Sequence, residues 1–174
     1  MYKRQAVTGL FLLGYGGWEM IPVGIACIIF AFLYTTGPYP LAYHGWGDIL
    51  VLVFFGFVPV GCTFYVMAHD WNTSVTMASL ACGFVIDTLL MVNNFRDREQ
   101  DAISGKKTIV VRLGARAGLI LYFLLGLAAC WSCFYFVTEG RLWAAILPQI
   151  YLLFHILTTC LLYTSDAADD DGYV

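Results

Sequence analysis

Two acidic side chains, Asp97 and Asp101, stand four residues apart in the segment VNNFRDREQDAISGKKTIVVRLG, Val92–Gly114. On a helix that spacing puts both carboxylates on one face. If the helix continues past Asn94, then Asp87, Asn94, Asp97 and Asp101 fall within about an 80° arc at 3.6 residues per turn. Such a line of oxygen donors suits Mg²⁺, which commonly takes one or two carboxylates together with phosphate oxygens and waters. The following Gly105-Lys106-Lys107-Thr108 adds flexible backbone and positive charge, apt for a diphosphate. A competing reading is a plain solvated loop, with Arg96, Asp97, Arg98 and Glu99 as a surface ion-pair cluster that contributes little. Asp87 weighs against it. It sits roughly ten residues inside an apolar run, where a carboxylate costs about 2.5–3.5 kcal/mol on insertion scales, and such groups face a bundle interior or a wet cavity. A protonated, hydrogen-bonded Asp87 with a structural role stands beside that reading.

The elements that must position these groups are apolar. The chain of 174 residues is 60% hydrophobic and 12% charged, against roughly half and a quarter in soluble domains, and its mean hydropathy is +0.76. No charge occurs from Ile49 to Ala68 or from Ala117 to Val137. Runs of about 18 or more apolar residues are what a helix needs to cross a ~30 Å hydrocarbon layer. Five runs qualify: Met20–Thr36, Ile49–Ala68, Val75–Val92, Ala117–Val137 and Leu142–Tyr163. A sixth, Ala6–Gly17, covers only ~18 Å at helical rise and reads as a truncated helix. The expected fold class is therefore all-α, a polytopic transmembrane bundle. Glycine and proline inside such runs are tolerated, because neighbouring helices satisfy the freed backbone.

Six of the nine basic residues (Arg96, Arg98, Lys106, Lys107, Arg112, Arg116) lie in the connection Asn93–Arg116. The positive-inside rule puts that connection in the cytoplasm. Counting spans back puts Gly37–Asp48 there too, so all the polar chemistry collects on one face. The net charge of −3 owes much to Asp166, Asp169, Asp170 and Asp171 near the end. Met1–Gln5 and the acidic stretch 164–174 resemble non-native flanking sequence and are set apart from the fold. Six cysteines lie in apolar runs; Cys130 and Cys133 form a CxxC, yet with no His or second pair nearby they read as small helix-facing residues rather than ligands.

The segment NNFRDREQDAISGKKTIVVRLG resembles the second aspartate motif of the UbiA-type prenyltransferase superfamily, and its NNxRDxxxDxxxGKxT form is closest to the branch acting on 1,4-dihydroxy-2-naphthoate in menaquinone biosynthesis. The stretch YTTGPYPLAYHGWGDILVLVFFG, Tyr34–Gly56, fits the same branch; relatives acting on 4-hydroxybenzoate tend to carry Lys-Arg where Tyr43 and His44 stand here. The resemblance covers Ala6 to Tyr163. It implies a nine-helix bundle around a cavity open to the membrane, with two aspartate motifs holding Mg²⁺ against a prenyl diphosphate. Carried over, Asp97 and Asp101 would be the Mg²⁺–diphosphate ligands, Lys107 and Lys106 would contact the diphosphate, and Asn94 would help shape the site. Tyr39, Tyr43 and His44 would lie near the aromatic acceptor or the diphosphate. Asp87 would face the cavity.

The implied partners are polyprenyl diphosphate, 1,4-dihydroxy-2-naphthoate and the bilayer, with no nucleic acid, in a bacterial inner membrane. The family's first aspartate motif is absent from this sequence, as is the final helix, so the chain reads as a fragment expected to be inactive alone. Rival readings are a sister enzyme using 4-hydroxybenzoate or homogentisate, and a transporter or scaffold with a basic loop. Phosphatidyl-alcohol transfer expects a denser DGxxAR-type run, which does not occur here.

Overall fold

The computed structural model describes residues 9–11 and 13–171, with side chains described through Asp166. The leader expected at Met1–Gln5, the start of the sixth run at Ala6–Thr8, and residues 172–174 lie outside the described residues. Helix precedes the numbered elements over 9–11 and 13–16. The helices that follow are α1 (Met20–Thr35), α2 (Gly47–Ala68), α3 (Thr73–Arg96), α4 (Arg98–Ile103), α5 (Ile109–Leu113), α6 (Ala115–Thr138), α7 (Leu142–Ile146) and α8 (Pro148–Asp171). The described residues contain no strand, and the expected all-α bundle is what forms.

Four helical runs are long and apolar enough to cross a membrane: Gly47–Ala68, Thr73–Arg96, Ala115–Thr138 and Leu142–Asp166. The fifth expected span is helical as well, but α1 has 16 residues and so extends about 24 Å, short of the ~30 Å layer. It stops where Thr36 turns extended, ahead of Gly37 at φ 108° and Pro38. The helical faces outside the bundle remain apolar: Phe32, Leu89, Trp131 and Leu161 are all at least 64% exposed. Lipid, rather than water, is the solvent such a surface matches. The protein is a multi-pass membrane protein.

Local signals set the boundaries. Asn72 caps α3, its side-chain carbonyl accepting from Val75 N at 3.0 Å, and Thr108 caps α5 through Val111 N at 3.3 Å. Pro59 lies within a wide-turned stretch of α2, Leu52–Cys62, where it removes one backbone donor. Pro148 opens α8, a first-turn position where the missing donor would be unpaired anyway. The last helix runs on through Asp171, so the acidic stretch is helical to that point, and Asp166 pairs with Arg98 at 3.0 Å. Trp18, Trp71 and Trp143 gather at the helix ends away from the basic connection, as expected of an interfacial aromatic belt.

The bundle is centred on α3, which packs on α2 at one side and α6 at the other, with α8 against α6. Small residues permit the close approaches. A Cβ on Gly56 would meet Ser79 O at 2.6 Å and Gly83 Cα at 2.9 Å, both backbone atoms of α3. Between α6 and α8, Gly126 leaves room for the buried His155 ring, whose Nε2 lies 3.1 Å from Tyr122 O. A Cβ there would fall 2.2–2.7 Å from three ring atoms. Gly126→Ala is therefore expected to cost about 1–3 kcal/mol, the usual overpacking range. Gly24→Ala meets nothing within 4 Å and serves as the control. Thermal unfolding in detergent checks this; equal melting temperatures for the two variants would remove the packing argument.

A cluster of Met91, Phe95, Val110, Leu119 and Tyr122 fastens the end of α3 to α5 and α6. That anchors the turn at which the two expected carboxylates sit.

Candidate functional site

The expectation of one uninterrupted helix through both aspartates is corrected. The helix does continue past Asn94, to Arg96, but Asp97 adopts φ −93° and ψ 9°, and a short α4 starts at Arg98. One helical bond survives across the break, Asp101 N donating to Asp97 O at 2.8 Å. The four oxygens consequently do not form a single stripe. Asp87 and Asn94 are buried on α3 at 4% and 5% exposure, and Asp101 is buried on α4. Asp97 is turned outward, its side chain 45% exposed.

Electrostatics separate the two motif carboxylates. Arg96 donates from Nε to Asp97 Oδ1 at 2.7 Å and from Nη2 to Oδ2 at 3.0 Å, which holds the Asp97 carboxyl below its usual range. Asp101 Oδ2 instead accepts from Lys106 Nζ at 2.9 Å, within a partly buried pair. The backbone closes the same loop, Lys106 N donating to Asp101 O at 2.9 Å, and Gly105 supplies the positive φ of 76° that the turn requires. Lys107 is exposed, with no ion pair among the described residues.

The two polar connections, 37–48 and 93–116, meet at one end of the bundle. Lys107 N donates to Tyr43 O at 2.8 Å, and Arg112 Nη2 donates to His44 O at 3.0 Å. Gly45 makes the approach possible, with φ 81° and an absent Cβ that would sit 2.9 Å from Lys107 O. In that first connection Tyr39 stacks on His44 at 3.5 Å between ring centroids, and the His44 ring Nδ1 lies 2.9 Å from Pro40 O. Tyr43 and Tyr39 are exposed.

Two cavities adjoin this junction. An apolar chamber of about 560 Å³ lies between α1, α2 and α3, walled by Cys27, Phe30, Tyr34, Phe54, Leu89 and Asn93 among others. Beside its polar end is a cleft of about 10 Å³ lined by Tyr34, Gly45, Asp48, Asn94, Lys106 and Thr108. Tyr34 and Leu90 border both. Apolar walls adjoining a cleft that Asp48, Asn94 and Lys106 line suit a molecule with a long hydrocarbon tail and a polar head.

A family model described as the UbiA prenyltransferase family matches residues 5–172. The chain belongs to the UbiA prenyltransferase family. It is 42% identical over 142 residues to a 1,4-dihydroxy-2-naphthoate octaprenyltransferase of Haemophilus influenzae, covering 77% of this chain and 46% of that protein. A protein of the same description from Escherichia coli is 37% identical over 157 residues, covering 81% of this chain and 51% of the relative. A 2-carboxy-1,4-naphthoquinone phytyltransferase of Synechocystis is 26% identical over 119 residues, covering 67% of this chain and 39% of its own length. This UbiA chain thus spans about half the length of the curated relatives it matches. No solved structure matches it.

Against the expectations, this UbiA segment brings Asn94, Asp101 and Lys106 into one neighbourhood and joins it to Tyr43 and His44 through the backbone. Asp97 and Lys107 stand at its outer rim. Asp87 is buried but borders neither the chamber nor the cleft, and its Oδ1 has no hydrogen-bond partner among the described residues. Sequence reasoning passed over Asp48 and Tyr34. Asp48 was visible as a carboxylate directly before the uncharged run Ile49–Ala68; nothing in the order of residues placed it against Asn94.

Proposed function

We propose that the intact protein containing this segment transfers a polyprenyl group from polyprenyl diphosphate to 1,4-dihydroxy-2-naphthoate, with loss of CO₂, giving demethylmenaquinol. It acts at the cytoplasmic face of a bacterial inner membrane. The observation that carries this reading is an apolar chamber of about 560 Å³ adjoining a polar cleft whose wall includes Lys106, itself paired with Asp101.

The donor set fits a divalent cation: Asp97 and Asp101 supply hard carboxylate oxygens about one helical turn apart, and a cation of this kind completes its shell with phosphate oxygens and water. No group of three or more acidic, Cys or His ligands occurs among the described residues. Mg²⁺, when bound, neutralises charge that grows on the departing diphosphate. Lys107, exposed and without an ion pair among the described residues, binds the diphosphate, and Lys106 steadies Asp101 in the same turn. The bond between the prenyl carbon and the diphosphate oxygen breaks with its electron pair leaving on the diphosphate. The electron-rich naphthoate ring supplies the pair for the new carbon–carbon bond, and the bond from ring to carboxylate then breaks, its pair returning to the ring as CO₂ leaves. Phe30, Phe54 and Leu89 keep water from the cationic prenyl carbon and hold its tail. Tyr39, Tyr43 and His44 flank the acceptor's approach.

Prenyl transfer by the full-length protein, with radiolabelled diphosphate and alternative acceptors, tests this. Turnover is expected with 1,4-dihydroxy-2-naphthoate and not with 4-hydroxybenzoate or homogentisate. The reverse preference would reject the naphthoate assignment while leaving the family intact.

A further inference from the structure

The cleft beside the chamber is bordered by two polar side chains on facing helices, one of them with an unsatisfied oxygen among the described residues. Asp48, in the first turn of α2, has a buried Oδ1 with no hydrogen-bond partner among the described residues. Asn94, on α3, is 5% exposed and lines the same cleft. A first-turn acid is favoured by the helix dipole whatever else it does. That accounts for the residue type at position 48 and leaves its orphaned oxygen unexplained. Buried polar groups in folded proteins nearly always find partners, so a donor is missing here.

Size and position identify what the donor is attached to. The cleft's volume of about 10 Å³ takes a single water-sized group and cannot admit an aromatic ring. It opens beside the chamber and shares Tyr34 with it, so a ring lying in the chamber can project one substituent into the cleft. A carboxylate substituent could face Lys106 on the cleft wall but has no hydrogen to give Asp48 Oδ1. A hydroxyl would donate to Asp48 Oδ1, while its oxygen can accept from the Asn94 amide.

Building on the function proposed above, we infer that Asp48 and Asn94 form the subsite for one ring hydroxyl of the aromatic acceptor, Asp48 accepting its hydrogen. The acid group of the acceptor is thereby directed away from Asp48, and the ring carbon to be prenylated is held in a fixed orientation. A site built to hydrogen-bond a hydroxyl discriminates strongly against analogues that lack it, because its own polar groups are left unpaired.

The test is steady-state kinetics on the full-length protein, varying acceptor and prenyl diphosphate in turn. Wild type and Asp48→Asn are compared with 1,4-dihydroxy-2-naphthoate and with its two monohydroxy analogues. Asp48→Asn is expected to raise the acceptor KM on the order of 10- to 100-fold, the range for a hydrogen bond to a charged group. The diphosphate KM should stay within about twofold, since the hydroxyl contact is made only by the acceptor. Removing the bound hydroxyl should then penalise wild type by a similar factor and the variant hardly at all. An unchanged acceptor KM, an equal rise in both KM values, or an undiminished hydroxyl penalty in the variant overturns the subsite. If Asp48→Asn cannot be recovered folded, the same comparison on Tyr34→Phe, which alters the cleft wall by one oxygen, decides it by selectivity for the acceptor KM. Wild-type protein that uses no hydroxynaphthoate at all would refute the underlying function instead, a result distinct from any of these.

Discussion

Asp101→Asn is expected to lower turnover of the full-length protein on the order of 10²–10³-fold, the scale set by losing one preorganised electrostatic contact in an active site. The substitution keeps the volume of a buried side chain and removes only its charge, so loss of fold is not the anticipated outcome. It also releases Lys106, whose Nζ now lies 2.9 Å from Asp101 Oδ2. Asp97→Asn should act in the same direction, and there Arg96 is the neighbour released. Glu99→Gln, on the same short helix but exposed and unpaired, should stay within about twofold, as surface charges generally do. Initial rates of prenyl transfer at saturating substrates, on detergent-extracted protein of matched monodispersity, provide the measurement. If all three variants behave alike, the segment is a solvated charged loop and the site lies elsewhere.

Stripping divalent cations from the full-length protein should abolish transfer, with activity returning on addition of Mg²⁺. The reason is simple Coulomb repulsion. A diphosphate head brought to Asp97 and Asp101 meets charge of its own sign in a partly desolvated loop, where such interactions exceed their value in water several-fold. Lys106 is already engaged by Asp101, and Lys107 alone leaves the balance negative. A divalent cation held by Asp97 and Asp101 would offset that repulsion. Rates in chelator, then with Mg²⁺ restored, settle it; undiminished transfer in chelator would mean the lysines hold the diphosphate unaided.

Much of this molecule was legible in its residue order because membrane helices are specified locally. A backbone in lipid must satisfy its own hydrogen bonds, so an uncharged run such as Ile49–Ala68 has one answer, and the structure supplies it as α2. The clustering of basic residues in 93–116 similarly marked the end of the bundle where the two polar connections meet. Length was less well read: Met20–Thr36 met the hydropathy criterion yet gave a helix of 16 residues, since a left-handed Gly37 followed by Pro38 ends it. The stripe of Asp87, Asn94, Asp97 and Asp101 failed at a single residue. Periodicity assumes constant dihedrals, and Asp97 departs from them, separating an exposed carboxylate from a buried one.

Residue types alone determined that the chain is an all-helical membrane protein; the family comes from the likeness of whole segments to known relatives. Tertiary structure decided which polar groups share a space. Asp48 and Asn94 are 46 positions apart and belong to separate helices, so only the packing of α2 on α3 makes them two walls of one cleft. The same packing depends on glycines at 56 and 83, whose importance lies in the backbone they admit rather than in anything they contribute themselves. Local rules report what a segment becomes; contacts between distant segments, which depend on the shape of both partners, fix where a buried carboxylate finds its donor.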